Sequence, residues 1–396
     1  MRTTNRIISP LVPVVLAALV PSLALLNSCE EVTGDVIASS DVRPVESKPL
    51  AVEPESIARM FSELPLTLGQ VREVFDGVNA SSSNGYDEEY PFLEMFSSPG
   101  SGVGDDLADT RALRDYPSPL CGMVSSMVES YLPTRSASFL DELSASGLQI
   151  YWPYSDRWDG RSLPVITFCP AEPGETNIGF SRRELPDGSW IVEEIVVDEA
   201  FAAAHPVWVI NYNTDSGAIT PQMLEKSAPA AISTRGTDKD FKTLKLKEFK
   251  AHRQYDPWLS GGSEFFCKIG ALKAFKADVV ADLSLYSPEI TDLMIKVKRS
   301  QVGRVLRYNT ILVSDWSGQL EECAFLLTED DGGKMTSWKA TGSVKIKSKS
   351  YGFEVEIPYH RNDDIVWRGK LSSNYFQRYN GIPNRFGDVS VTFVFD

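Results

Sequence analysis

Two pairs of adjacent aspartates, Asp330-Asp331 and Asp363-Asp364, are residues of this chain suited to hold a cation. Carboxylate oxygens, with Asn362 and backbone carbonyls nearby, are the hard donors that Ca²⁺ prefers. A second chemistry lies in Tyr151-Trp152-Pro153-Tyr154-Ser155-Asp156-Arg157-Trp158-Asp159. There Tyr151, Trp152, Tyr154 and Trp158 offer planar faces that stack on sugar rings, and Asp159 offers an acceptor for sugar hydroxyls. A third would be glycan hydrolysis by two carboxyl groups about 5 to 10 Å apart, for which Asp156, Asp159 and Asp256 are the candidates. Each reading has a plain alternative. Acidic hairpin loops are commonly just solvated, and Tyr151-Trp152 can equally begin a buried strand.

Several other chemistries are excluded. The chain has no HExxH, GxSxG, P-loop or GxGxxG pattern, and its three histidines, His205, His252 and His360, are not at metal spacing. A formal net charge of −15 excludes nucleic acid as a partner, because phosphate binding needs clustered Lys and Arg. The locally basic stretch from Lys239 to Lys276 interleaves its lysines with Leu244, Leu246 and Phe249, as a solvated strand face does. Cys121, Cys169, Cys267 and Cys323 lack CxxC spacing and have apolar neighbours, which fits buried thiols as well as disulfides and argues against zinc.

The elements that must position these residues divide the chain. Residues 55–147 read as a helical region with a long Ser- and Gly-rich loop at 79–106. Thr67-Leu-Gly-Gln70 has the form of a capping box, with Leu68, Val71, Phe75 and Val78 on one face. Further helices are expected at 121–132 and at 138–144, the latter capped by Ser138. Residues 148–212 read as a β module with a hairpin turn at Asp187-Gly188, and 213–239 as a linker. Residues 240–396 alternate clearly, with Phe353, Val355, Ile357 and Tyr359 on one face and Val389, Val391, Phe393 and Phe395 on another. The expected fold class is therefore α+β, mainly β: a small N-terminal helical region followed by antiparallel β modules, the last a sandwich.

Strand parity places the acidic loops. If strands 304–313, 322–328, 342–348 and 352–359 run up and down in order, the loops after the second and fourth emerge at one end. Those are the loops that carry Asp330-Asp331 and Asp363-Asp364.

Three resemblances add to this. Arg2 and Arg6, then an apolar run from Leu11 to Leu26, have the order of an export signal, and Leu26-Asn27-Ser28-Cys29 resembles the lipobox of bacterial lipoproteins. That implies a signal peptide at 1–28, acylation of Cys29, attachment to a membrane through that anchor, and a flexible tether at 29–54. Glu30-Glu31 and the combination of Tyr151-Trp-Pro-Tyr154, Pro206-Val-Trp208 and Gly261-Gly-Ser-Glu264 resemble surface lipoproteins of Bacteroidota, which implies the outer membrane and the cell surface. The segments from Leu326 and from Asn362 resemble calcium loops of C2 domains, which implies a C2-like or immunoglobulin-like sandwich.

The function expected from sequence is a lipid-anchored envelope protein that binds an extracellular glycan or protein without turning it over. The alternatives are a carboxylate-based glycan hydrolase and a purely structural envelope component.

Overall fold

The computed structural model describes residues 50–86, 88–96, 119–215, 217–227 and 241–396. The expected leader 1–28, Cys29, residues 29–49 of the tether, residues 97–106 of the long loop and residues 228–239 of the linker lie outside them.

Local chemistry accounts for the first elements. Helix α1 (Pro54–Glu63) begins on a proline, whose fixed φ suits a first turn, and buries Ile57, Ala58 and Phe61. Helix α2 (Leu68–Ser81) carries the expected capping box: Thr67 Oγ1 accepts from the Gly69 N–H at 3.2 Å, and Gln70 Oε1 accepts from the Thr67 N–H at 2.9 Å. Its buried face is Val71, Val74 and Val78, while Leu68, expected on that face, is exposed. Two more helices follow, α4 (Pro119–Tyr131) and α5 (Ser136–Ala145), after the short α3 (Phe92–Phe96). Ser138 does not cap α5. The helix starts earlier, behind Arg135, and the Ser138 hydroxyl donates to the Arg135 carbonyl at 3.0 Å.

These helices lie on a six-stranded sheet in the order β1-β2-β6-β3-β4-β5. Its strands are β1 (Glu89–Pro91), β2 (Leu148–Tyr151), β3 (Val165–Phe168), β4 (Thr176–Glu184), β5 (Trp190–Asp198) and β6 (Val207–Tyr212). β1 falls inside the stretch expected to be loop, because Tyr90 is fully buried and pairs with Ile150. The β4–β5 hairpin turns at Gly188 with φ +81°, a left-handed conformation that glycine adopts without strain. All pairings are antiparallel except β3 with β6, which are parallel and joined through β4, β5 and helix α6 (Glu199–Ala204). Period-2 alternation gives the sheet two apolar faces. Ile150, Trp152, Ile166, Trp208 and Ile210 meet the helices, while Tyr151, Val165, Val207 and Val209 meet Trp258 and Leu259 from the C-terminal half. Residues on both sides of position 147 thus share one core.

The C-terminal half is a β-sandwich. One sheet has the order β10-β7-β16-β15, from β7 (Phe241–Ala251), β10 (Leu306–Ser317), β15 (Pro383–Phe386) and β16 (Val389–Phe395). The other runs β13-β12-β11-β8-β9, from β8 (Ser263–Ala271), β9 (Glu289–Val297), β11 (Leu320–Glu329), β12 (Met335–Ile346) and β13 (Lys349–His360). β14 (Asp364–Ser372) pairs with β11 as well, taking over from β12 after Glu322. Leu244, Leu246 and Phe249 of β7 turn inward, as do Val391 and Phe393 of β16. They pack on Phe265 and Cys267 of β8 and Phe325 and Leu327 of β11. Each such side chain contributes about 1.5–3 kcal/mol by leaving water, so this layer holds the half together. The fold is α+β and mainly β, with chiefly antiparallel sheets. Helix α7 (Pro221–Ser227) lies within the expected linker and is tied to β10, where Glu225 accepts from the Asn309 N–H at 2.6 Å.

Candidate functional site

The strongest electrostatic feature sits where the two halves meet. β1 is an edge strand of the first sheet and β9 an edge strand of the sandwich. Lys296 on β9 reaches across to Glu89 on β1, to Asp215 Oδ2 at 2.6 Å and to Glu264 Oε1 on β8 at 2.8 Å. All four residues are buried. Burial alone would push the Lys296 ammonium down, but Asp215, Glu264 and Glu89 together hold it well above its ordinary value. Burial raises the carboxyls in turn, Glu89 to about 8 and Glu264 well above the usual range, against the pull of Lys296.

Backbone design makes this approach feasible. Gly261 has φ +144° and passes close to Glu264 and Lys296. At Gly262 a Cβ would stand 2.7 Å from the Val297 carbonyl oxygen, so only glycine lets β8 start this close to the end of β9.

Next to this cluster is a carboxyl pair. Oxygens of Asp256, Glu264 and Glu329 all lie within 4.8 Å of one another. Glu329 is fully buried, and among the described residues no N–H or hydroxyl donor reaches either of its carboxyl oxygens or Oδ2 of Asp256; the two carboxyls meet each other instead. Burial, then the neighbouring Asp256, lifts Glu329 far above the carboxylate range, and burial lifts Asp256 too.

Asp256 also lines a cleft of about 550 Å³ with Glu175, Asp198, Glu199, Tyr255, Trp258 and Arg299. Arg299 donates to Glu199 Oε1 at 3.0 Å and to the Asp256 carbonyl oxygen. Glu199 also accepts from the Tyr154 hydroxyl at 2.7 Å, which with burial pushes that phenol up to about 12. Trp258 donates to the Glu175 carbonyl at 2.9 Å, fastening the 256–259 loop to the first sheet. The cleft therefore has carboxylate acceptors, a guanidinium donor and a tyrosine ring on one rim.

The aromatic stretch takes another role. Tyr151 is fully buried and borders neither hollow, so it serves the core; Trp152 stacks edge-on with Phe75, Trp158 and Trp208 and borders the same hollow as Tyr154, Trp158 and Asp159. Trp158 is half-buried under the Arg72 guanidinium, and its Nε1 donates to the Ser162 carbonyl at 2.9 Å. Asp159 accepts from the Arg161 and Ser162 N–H groups, both at 2.8 Å, and from the Ser162 hydroxyl at 2.9 Å. Those bonds lower its pKa, so it serves the turn and is unsuited to donate a proton. Tyr154 and Trp158 border a smaller hollow of about 140 Å³ on the other side of α6, where Ala202 to Pro206 form the wall. Asp156 is exposed and lines neither hollow, so Asp156, Asp159 and Asp256 do not share a groove.

The acidic loops do converge at one end of the sandwich, with a partner that parity did not supply. His360 Nδ1 lies 2.8 Å from Asp330 Oδ1, and Asp363 Oδ2 accepts from the His360 N–H at 2.8 Å. Asp330 additionally accepts from the Gly332 N–H at 3.0 Å. Asp331 and Asp364 are exposed. The loop leads straight into the buried pair, since Glu329 immediately precedes Asp330.

Sequence reasoning missed Glu89, Asp215, Glu264, Lys296, Arg299 and Glu329. The one available signal was a lone charge in an apolar strand run, as in Ile295-Lys296-Val297 and Leu327-Thr328-Glu329. Among the described residues the four cysteines form no disulfide, and Cys267 and Cys323 are buried in the sandwich core. No helix among the described residues is long and apolar enough to cross a membrane. No protein-family model, no curated protein and no solved structure matches this chain.

Proposed function

We propose that the chain is a lipid-anchored protein of the cell envelope, displayed at the outer-membrane surface, whose folded body binds a glycan without turning it over. The anchor rests on Leu26-Asn27-Ser28-Cys29 and the address on Glu30-Glu31. The observation that carries the binding reading is the cleft beside α6, where Glu199, Asp256, Arg299 and Tyr255 converge. Sugar hydroxyls need paired acceptors and donors and a planar surface to stack on, and this rim offers all three. The stretch from Tyr151 to Trp158 supports that cleft from behind through Tyr154 and Glu199.

Two experiments test the reading. Membrane fractionation of cells carrying Cys29→Ala should move the protein to the soluble fraction, and unchanged attachment would sink the anchor. A glycan array probed with the purified full chain should give a ligand whose binding is lost in Glu199→Gln. An array without any binder, or a binder indifferent to that change, would remove the cleft.

A second reading has one observation in its favour. Asp256 lines the cleft with a raised carboxyl, and the raised, buried carboxyl of Glu329 stands behind it, so two carboxyls of altered acidity lie together as acid–base hydrolysis requires. Release of reducing ends from a bound glycan, abolished by Asp256→Asn, would replace binding by hydrolysis.

A further inference from the structure

We propose that Asp256, Glu264 and Glu329 together seat a divalent cation of the calcium class behind the cleft that Asp256 lines. This goes beyond the glycan reading and stands or falls separately from it. The geometry is the first argument. Oxygens within 4.8 Å of one another are at or close to the separations of ligands on a sphere of the ~2.3–2.6 Å radius at which Ca²⁺ holds them.

The second argument is that Glu329 is fully buried with no N–H or hydroxyl donor on either oxygen among the described residues, and that one of its oxygens lies with those of Asp256 and Glu264. A buried carboxyl without a partner is costly, and a cation discharges that cost where a proton otherwise must. The neighbouring cations are already committed. Lys296 is shared among Glu89, Asp215 and Glu264, and Arg299 is bound to Glu199 and to the Asp256 main chain. Asp215 and Asp331 add further negative charge around Asp256 and Glu329 respectively.

The third argument is access. Asp256 lines the open cleft, so one of the three carboxyls stands next to solvent while Glu264 and Glu329 lie behind it. Of the outer aspartates, Asp330 and Asp363 each give one oxygen to His360, while Asp331 and Asp364 are exposed.

The test uses the purified full chain, stripped with chelator and then given about 1 mM Ca²⁺, the upper end of the range for extracellular calcium sites. The expected result is a rise in the unfolding midpoint that disappears in Glu329→Gln, a near-isosteric change, and persists in Asp330→Asn. Terbium offers a second readout that does not depend on stability: Tyr255 and Trp258 beside the site should sensitise its emission, and Glu329→Gln should extinguish it. The proposal is overturned by an absent response to both ions, or by a response that survives Glu329→Gln and vanishes in Asp330→Asn. Glycan binding unaffected by chelator would leave the cation seat intact, and a lost calcium response with retained glycan binding would remove the seat alone.

Discussion

Lys296 and Glu89 form a buried ion pair across 207 residues of chain, joining the edge of the first sheet to the edge of the sandwich. Asp215 and Glu264 complete the set around the same ammonium. Replacing Lys296 by methionine therefore leaves the carboxyl groups of Glu89, Asp215 and Glu264 in a dry site without their ammonium donor. Breaking a buried pair from one side costs about 3–5 kcal/mol, and urea unfolding of Lys296→Met should show a loss of that order. Adding Glu89→Gln should recover part of it, since the two residues are coupled. Strict additivity of the two changes would mean that the pair contributes nothing as a pair.

The same burial fixes the sign of the pH dependence. Glu89 is lifted to about 8 and Asp363, by burial and then by Asp330, to about 6, both above the ordinary carboxyl range. Glu329 is raised further still. The folded chain thus holds protons that the unfolded chain has already released, and stability falls as pH rises through this window. In chelator, the urea midpoint should be lower at pH 8 than at pH 5, and Glu89→Gln should flatten the slope. Carboxyls whose pKa values are lowered, such as Asp159 and Asp187, titrate below this range and do not mask the trend. A midpoint that climbs from pH 5 to pH 8 would contradict the assignment.

Gly262 offers a steric test of the seam. An added Cβ meets only backbone, the Val297 carbonyl at 2.7 Å and its carbon at 3.2 Å, so the strand ends must part. Overpacking of this kind costs about 1–3 kcal/mol. Gly262→Ala should be destabilised by that amount in thermal or urea melts. Gly318→Ala, where a Cβ meets nothing within 4 Å, should stay within about 0.5 kcal/mol of the parent. Equal effects at the two positions would refute the close approach.

Trp258 is the apolar counterpart of the ion cluster. It is buried against the first sheet with Leu259, Tyr151, Val207 and Val209, and it shapes one wall of the cleft. Trp258→Ala should cost about 3–5 kcal/mol, and Trp258→Phe much less. If the alanine variant melts like the parent, the two halves do not depend on this contact.

The parts of the fold legible in the sequence are those that repeat a local rule. Thr67 and Gln70 cap α2 because three residues of separation suffice for a reciprocal bond. Phe353, Val355 and Ile357 alternate because one side of β13 faces an apolar layer. Parity likewise brought Asp330 and Asp363 to one end. The ion cluster could not be read this way. Glu89, Asp215, Glu264, Lys296 and Glu329 belong to no repeating pattern along the chain, and their meaning comes only from contacts between distant segments. The aromatic stretch misled for a related reason. Tyr151 and Trp152 have the side chains of a sugar platform, but a strand buried on both faces uses the same residues. Nothing local separates the two.

The seam also sets an order of events. During synthesis Glu89 is made long before Lys296, and β1 has no counter-ion for its carboxylate until β9 has been placed. Contacts of such long separation form late, because the intervening loop must close before they are rewarded. The seam between the first sheet and the sandwich therefore closes only once β9 is in place, however early the helices form.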